Sequence, residues 1–315
     1  MKKQIKIITI LLTVFMLTGC TKYLKLDKKA VKYDQTGQTL TSNILCRPED
    51  EEIIKIYEDY NSKVEENKRI KLEELPSCEN MKLTGKYEGL WTNVFVKPLA
   101  ILIVNVGKIL KSYGLALILI TIVIRAIVWP LSGKAAKQSK NMQKAKPELD
   151  RLEKKYKNRT DQDAMMQKSQ EMLLIYKKYG INPMSGCLFS LIQIPLFFAF
   201  YEAISRIPVI FEETFLGFQL GTSPLTAVFA GHYHYLIFIV LIAGATYFSF
   251  KINAESQALS SEQAAQMKQM NLFMVVFMTI ASFSISSGIA IYWVTSNLFT
   301  IFQNLIMKRG KKNDK

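Results

Sequence analysis

Residues 270 to 307, Met270 through Met307, contain no Lys, Arg, Asp or Glu. As a helix such a run is about 57 Å long at about 1.5 Å per residue, nearly twice the ~30 Å hydrocarbon core of a bilayer. It must fold back on itself, and Ser286-Ser287-Gly288 at its middle is the strong breaker available. Two spans result, 270–287 and 289–307. Hydrophobic residues make up 49% of the 315 and gather in long uncharged runs, so a length that would suit two soluble domains reads as a membrane protein.

The formal charge of +15 is unevenly spread. Residues 132–180 carry 13 Lys/Arg against 6 Asp/Glu, and the tail from Lys308 carries 5 against 1. Residues 21–93 carry 13 basic and 14 acidic groups. Short Lys/Arg-rich loops face the cytoplasm, which places 132–180 and the tail inside and 21–93 outside.

Lys2, Lys3 and Lys6 precede an apolar run from Ile7 to Leu17, too short to span and fitting a signal-peptide core. It ends in Leu17-Thr18-Gly19-Cys20, similar to the bacterial lipobox, so the expectation is removal of residues 1–19 and acylation of Cys20. A cysteine that merely ends a signal is the alternative. The extracellular polar segment 20–92 is helix-permissive around Asp50 to Glu74, and Cys46 and Cys78 flank that stretch. Paired outside the reducing cytosol, they would staple a small helical hairpin too poor in apolar area for its own core; otherwise they remain two thiols.

Within 93–112, Lys97, Asn105, Lys108 and Ser112 fall near one helical face and Leu99, Leu102, Val106 and Leu110 on others, the pattern of an interfacial amphipathic helix. A short spanning segment is the alternative, but only ten residues separate Lys97 from Lys108. The first span is 113–131, closing with Trp129-Pro130. In 132–180, Met142, Ala145, Leu149, Leu152 and Tyr156 step by three and four, and Met165, Ser169, Met172, Tyr176 and Tyr179 repeat the pattern. These are two seams of a cytoplasmic antiparallel coiled-coil hairpin. Span two is 182–204, with Pro195 inside it; an outer loop occupies 205–232, span three 233–250, a cytoplasmic loop 251–269 and the basic tail 308–315. The fold class is an all-α membrane protein with a five-helix transmembrane core.

No Gly-rich phosphate loop ending in Gly-Lys-Ser/Thr and no His-Glu-x-x-His pair occurs, so neither enzyme chemistry, a cofactor nor a metal is expected. His232 and His234, at the outer mouth of span three, have no third ligand nearby in sequence and read as interfacial side chains. Arg125 is the informative residue, because an arginine in a span costs about 2.5–3.5 kcal/mol on insertion scales. It lies six residues before Leu131, roughly 9 Å from the cytoplasmic end. Either it snorkels or it faces a water-filled cavity, with Gln193 on span two and Trp293, Asn297 and Gln303 on span five as polar partners; ordinary interhelical hydrogen bonding is the alternative for each.

Asn182-Pro183, Gly186-Cys187 and Gln193-Ile194-Pro195 in span two, Arg125 in span one, and Tyr292-Trp293 with Asn297 and Phe299 in span five resemble the YidC family of membrane protein insertases, in its Gram-positive lipoprotein form. The resemblance runs from about Trp91 to Met307 and leaves residues 21–90 without a counterpart. It implies a hydrophilic groove open to cytoplasm and lipid, closed outside, holding Arg125 with Gln193, Trp293 and Asn297 as contacts. It also implies nascent membrane proteins as substrates, and the Sec translocon, the ribosome and the signal-recognition-particle receptor as partners. The basic hairpin and tail suit polyanions, ribosomal RNA or anionic lipids. A small-solute transporter or channel with an arginine-lined cavity is the rival, but no internal repeat or paired broken helices support it. A structural scaffold, a second rival, would tolerate loss of the arginine charge.

Overall fold

The computed structural model describes residues 21–84, 88–159, 161–182, 185–256 and 261–313. The expected signal peptide, Cys20 and Pro183 lie outside the described residues, as do the side chains of Cys187 and of the basic tail. The chain divides into two compact units: one comprises the chain up to Thr121 with Pro195–Ile239 and Ala281–Trp293, the other Ile122–Ile194, Val240–Ile280 and Val294–Lys315.

The first unit opens with an amino-terminal cap. Strands β1 (Lys25–Leu26) and β2 (Lys29–Ala30) form an antiparallel ribbon, Lys25 opposite Ala30, around Asp27 and Lys28 at φ 49° and 67°. Helix α1 (Glu51–Lys63) starts where the Asp50 carboxylate accepts from the N–H groups of Glu52 and Ile53 at 2.8 and 3.1 Å, and Glu51 and Glu52 favour the positive end of its dipole. Ile53, Tyr57 and Tyr60 lie on one face of α1 and bury against Leu24, Tyr33, Leu40, Ile44 and Leu72, with Phe211 of a later loop completing the cluster. The expected coreless helical hairpin is therefore corrected. The apolar area exists, but it is distributed over a ribbon, isolated bridges such as Tyr23 with Thr41, and turns, where no single period reveals it. Cys46 and Cys78 are joined, with an S–S distance of 2.08 Å and Cα atoms 4.8 Å apart.

A wide helical turn, Thr92–Val96, with Thr92 and Val96 buried, leads into α2 (Lys97–Leu110), which buries Leu99, Ala100, Ile103, Val104 and Gly107. Lys97 does not join an outward polar face: it is 8% exposed and its Nζ lies 3.9 Å from Glu88. Asn105 and Lys108 are exposed as expected, together with the apolar Leu102, Ile109 and Leu110. Lys111 takes the left-handed conformation at φ 53°, and the chain turns at once into α3 (Tyr113–Tyr156). A Cβ on Gly107 would lie 2.2 Å from the Tyr113 ring, so the tight reversal needs glycine there. Four described helical stretches are long and apolar enough to cross a membrane: Thr92–Leu110, Tyr113–Pro130, Tyr233–Ala254 and Ser287–Ile306. The stretch expected as an interfacial helix, 93–112, is among them by length and composition.

In the second unit α3 packs on α4 (Gln162–Lys178). Ala145, Leu149, Tyr176 and Ile181 form one buried cluster and Leu152, Tyr156 and Ala164 another, with Met172 and Ile175 packed against both. The expected seam on α3 is the buried one; on α4, Met165 is 56% exposed and Ser169 is exposed, while Ala164 and Ile175 take the inner face. Asp161 sets that phase by accepting from the Ala164 N–H at 3.0 Å, turning the small Ala164 inward in the first turn. Helix α5 (Ser185–Arg206) carries Pro195; α6 (Pro208–Glu212), strands β3 (Thr214–Phe215) and β4 (Phe218–Gln219) and α7 (Pro224–Phe229) fill the following loop.

Helices α8 (Leu236–Ser256) and α9 (Ser261–Ala281) occupy the stretch expected as the loop 251–269, apart from 257–260, which lie outside the described residues. Those flanks hold no Gly or Pro and are rich in Ala, Gln and Glu, so the helices run on past the expected ends of the spans. Helix α10 (Ser287–Asn313) likewise continues into the basic tail. Its start is fixed by carbonyls: the Ser287 N–H and Oγ both donate to Thr222 O at 2.9 Å, and the Gly288 N–H to Leu220 O at 2.8 Å. A Cβ on Gly288 would meet Ile204 at 3.2 Å and Leu220 O at 3.3 Å.

Candidate functional site

Arg125 sits on α3, 6% exposed, and its Nη2 donates to Ser296 Oγ on α10, both within the second unit. Ser296 begins a polar stripe on α10: Ser296, Thr300, Gln303 and Asn304 are each at most 4% exposed and recur at helical spacing along one face. Thr300 Oγ1 donates to Ser296 O at 3.0 Å, and Asn304 Nδ2 donates to Thr300 O at 2.9 Å and to Asn253 Oδ1 of α8 at 3.1 Å. Helix α8 adds buried Thr246 and Ser249 above Asn253 at the same periodicity. Trp129, one turn beyond Arg125, meets Phe299 and Phe302 edge-on at centroid distances of 5.8 and 6.5 Å. An arginine in an apolar span needs such company, since leaving its charge in hydrocarbon costs about 2.5–3.5 kcal/mol on insertion scales.

Asn297, beside Ser296, and Gln193, on α5 just before Pro195, are both half-buried in this unit. Trp293 belongs to the first unit, where Phe197 packs on it edge-on at 5.2 Å, while Tyr292 stacks on Phe200 at 4.2 Å. The sequence signal for Ser296, Thr300 and Asn304 is the four-residue spacing of small polar side chains inside an uncharged run; Asn253, between Lys251 and Glu255, carries no such signal.

A second charged cluster, which no sequence motif marks, lies in the first unit. Glu202 lies inside the span drawn as 182–204, and it is 2% exposed. It accepts from Trp91 Nε1 at 2.9 Å and faces Arg206 Nη1 at 3.5 Å. Arg206, 1% exposed, also pairs with Glu88 and donates from Nε to Asn43 O at 2.6 Å. Nearby, the Glu212 carboxylate accepts from the Glu49 N–H at 3.2 Å; burial, with Asp50 and Glu49 close by, pushes its carboxyl up to about 7. His234 rests against Phe218 and Tyr235 with Nε2 3.3 Å from Gly217 O.

Four apolar helices of spanning length, with a buried arginine and a buried polar stripe inside the second unit, define a multi-pass membrane protein. A family described as 60Kd inner membrane protein matches residues 105–315. Membrane protein insertase YidC of Oceanobacillus iheyensis is 33% identical over 232 residues, spanning 73% of this chain and 88% of that protein. The YidC of Alkalihalophilus pseudofirmus is 37% identical over 224 residues, 70% of this chain and 83% of the relative. Membrane protein insertase MisCA of Bacillus subtilis is 33% identical over 237 residues, 74% and 86%. Among solved structures, an active YidC insertase with its first transmembrane domain resolved superposes with a TM-score of 0.50 at 25% identity, across 80% of this chain; the chain spans about half of that one, 52%. The chain belongs to the YidC family of membrane protein insertases.

Proposed function

We propose that this protein inserts and helps fold integral membrane proteins, alone or with the Sec translocon, through a hydrophilic groove in which Arg125 receives acidic groups of the incoming chain. The observation that carries the reading is the burial of the Arg125 guanidinium against Ser296, at the head of a polar stripe on α10. A charge placed there lowers the barrier for a short polar segment by accompanying it part of the way across. No nucleotide need supply the driving force: a ~20-residue apolar helix gains about 0.3–0.6 kcal/mol per strongly apolar residue on entering lipid. Outward movement of each negative charge adds ~2.3 kcal/mol per 100 mV. Gln193, Trp293 and Asn297 are the further contacts assigned to the incoming chain.

In this reading five spans form the core, α3 and α4 extend as a coiled-coil hairpin into the cytoplasm, and the cap lies outside. Cleavage before Cys20 and its acylation anchor the mature chain to the outer leaflet. The basic hairpin and tail meet the ribosome, the signal-recognition-particle receptor or anionic lipid. The test is reconstitution of the purified chain with one short single-span substrate bearing an acidic tail, without a translocon. Arg125→Glu is expected to abolish insertion and Arg125→Lys to retain part of it; equal activity of the two excludes the electrostatic role.

A further inference from the structure

The loop between α5 and α8 contains five consecutive residues, Phe211–Phe215, that grip two different helices. Phe211 completes the cap's core. Glu212 accepts from the N–H groups of Glu49 and Asp50, immediately before α1, at 3.2 and 3.4 Å. Glu213 turns the other way: it accepts from Ser112 Oγ at 2.8 Å, from the Tyr113 N–H, and from the Gly114 N–H at 3.5 Å. Ser112 Oγ in turn accepts from the Leu115 N–H at 3.3 Å, so three donors otherwise orphaned at the start of α3 are all met. Phe215 closes the arrangement by lying on Gly114, where a Cβ would come within 2.2 Å of its ring.

We propose that Phe211–Phe215 is a clasp in which Glu213 is a positioning residue for insertion, holding the amino end of the Arg125-bearing helix α3, while Glu212 docks the cap on the same loop. This rests on the insertase reading only for its effect on insertion; the contacts stand apart from it. The charged and titratable groups around Glu212 are Glu49 and Asp50 before α1, Tyr33 and Tyr57 of the cap, Tyr113 on α3 and its neighbour Glu213. Burial is the largest cause, and the Asp50 and Glu49 carboxylates add to it against the lowering by the two N–H groups that Glu212 accepts from, so the docked state takes up a proton on Glu212 more readily than the undocked one. Docking therefore tightens as pH falls through about 7.

The experiment is hydrogen exchange on the full chain in proteoliposomes, corrected for intrinsic rates, together with insertion of one single-span substrate. Glu213→Ala is expected to speed exchange at Tyr113 and Gly114 about tenfold or more and to slow insertion several-fold, with Glu213→Gln restoring most of both because its amide oxygen still accepts. In the wild type, protection at Glu49 and Asp50 is expected to rise about tenfold between about pH 8 and about pH 6, and in Glu212→Gln to stay flat. Unchanged exchange in Glu213→Ala, faster exchange with unchanged insertion, or a flat wild-type profile each overturns the proposal; the last needs no variant. A wild-type chain that inserts nothing rejects the insertase reading, while the exchange measurements still decide the clasp.

Discussion

Arg206 shows what one buried charge costs when its surroundings change. Its guanidinium is 1% exposed and holds Glu88 and Glu202, the latter 2% exposed, so removing it strands a carboxylate away from water. Arg206→Met is expected to destabilise the protein by roughly 3–5 kcal/mol, and adding Glu202→Gln to recover part of that, because breaking a buried pair costs more than replacing both members. Thermal unfolding of the three proteins in one detergent checks this; a double variant no better than the single one contradicts it. Glu212 has the opposite character: its folded-state carboxyl lies near 7, above the usual carboxylate range, so it withholds stability at high pH and returns it as pH falls from about 7 toward about 4.5. Arg125 was legible in sequence, since a charge in an uncharged run announces itself. Glu202 also lay in plain view within the second span, but its role emerges only with Trp91 and Arg206 beside it.

At the scale of elements, the pairing of α3 with α4 tests which residues form the seam. Leu149, 2% exposed, is expected to lose about 2–5 kcal/mol on truncation to alanine, whereas Met165, 56% exposed, is expected to tolerate the same change with little effect. Limited proteolysis of the hairpin in the two variants compares them; equal protection would mean that Met165 packs inward after all. Two matching polar clamps flank this seam. Glu148 accepts from Lys178 Nζ at 2.6 Å and Tyr179 OH at 2.8 Å, and Glu171 accepts from Lys155 Nζ and Tyr156 OH at the same distances. Both carboxyls are held below the usual range chiefly by their lysine hydrogen bonds. Three-and-four spacing made the helices and the α3 seam readable, but the phase of α4 depended on an Asp161 cap that periodicity does not encode. The stretch between α8 and α9 departs from its expected loop for a related reason: its polar residues have high helix propensity, so α8 reaches Ser256 and α9 starts at Ser261.

For the molecule as a whole, the cap is where sequence said least. Its core joins residues spread from Leu24 to Leu72 with Phe211 far along the chain, so no local window contains it. The bond between Cys46 and Cys78 closes a separation of 32 residues, and replacing both cysteines by alanine is expected to cost the cap roughly 3–4 kcal/mol. Proteolytic cleavage within 21–84 under non-reducing conditions reads that loss; identical cleavage of wild type and variant would refute it. The two carbonyls that receive the start of α10, those of Leu220 and Thr222, have a temporal meaning as well. They leave the ribosome more than sixty residues ahead of Ser287, so the acceptors for the start of α10 are synthesised before the helix that uses them. A protein of a family that assists the membrane entry of others thus carries, in one loop, the acceptors that fix where one of its own helices begins.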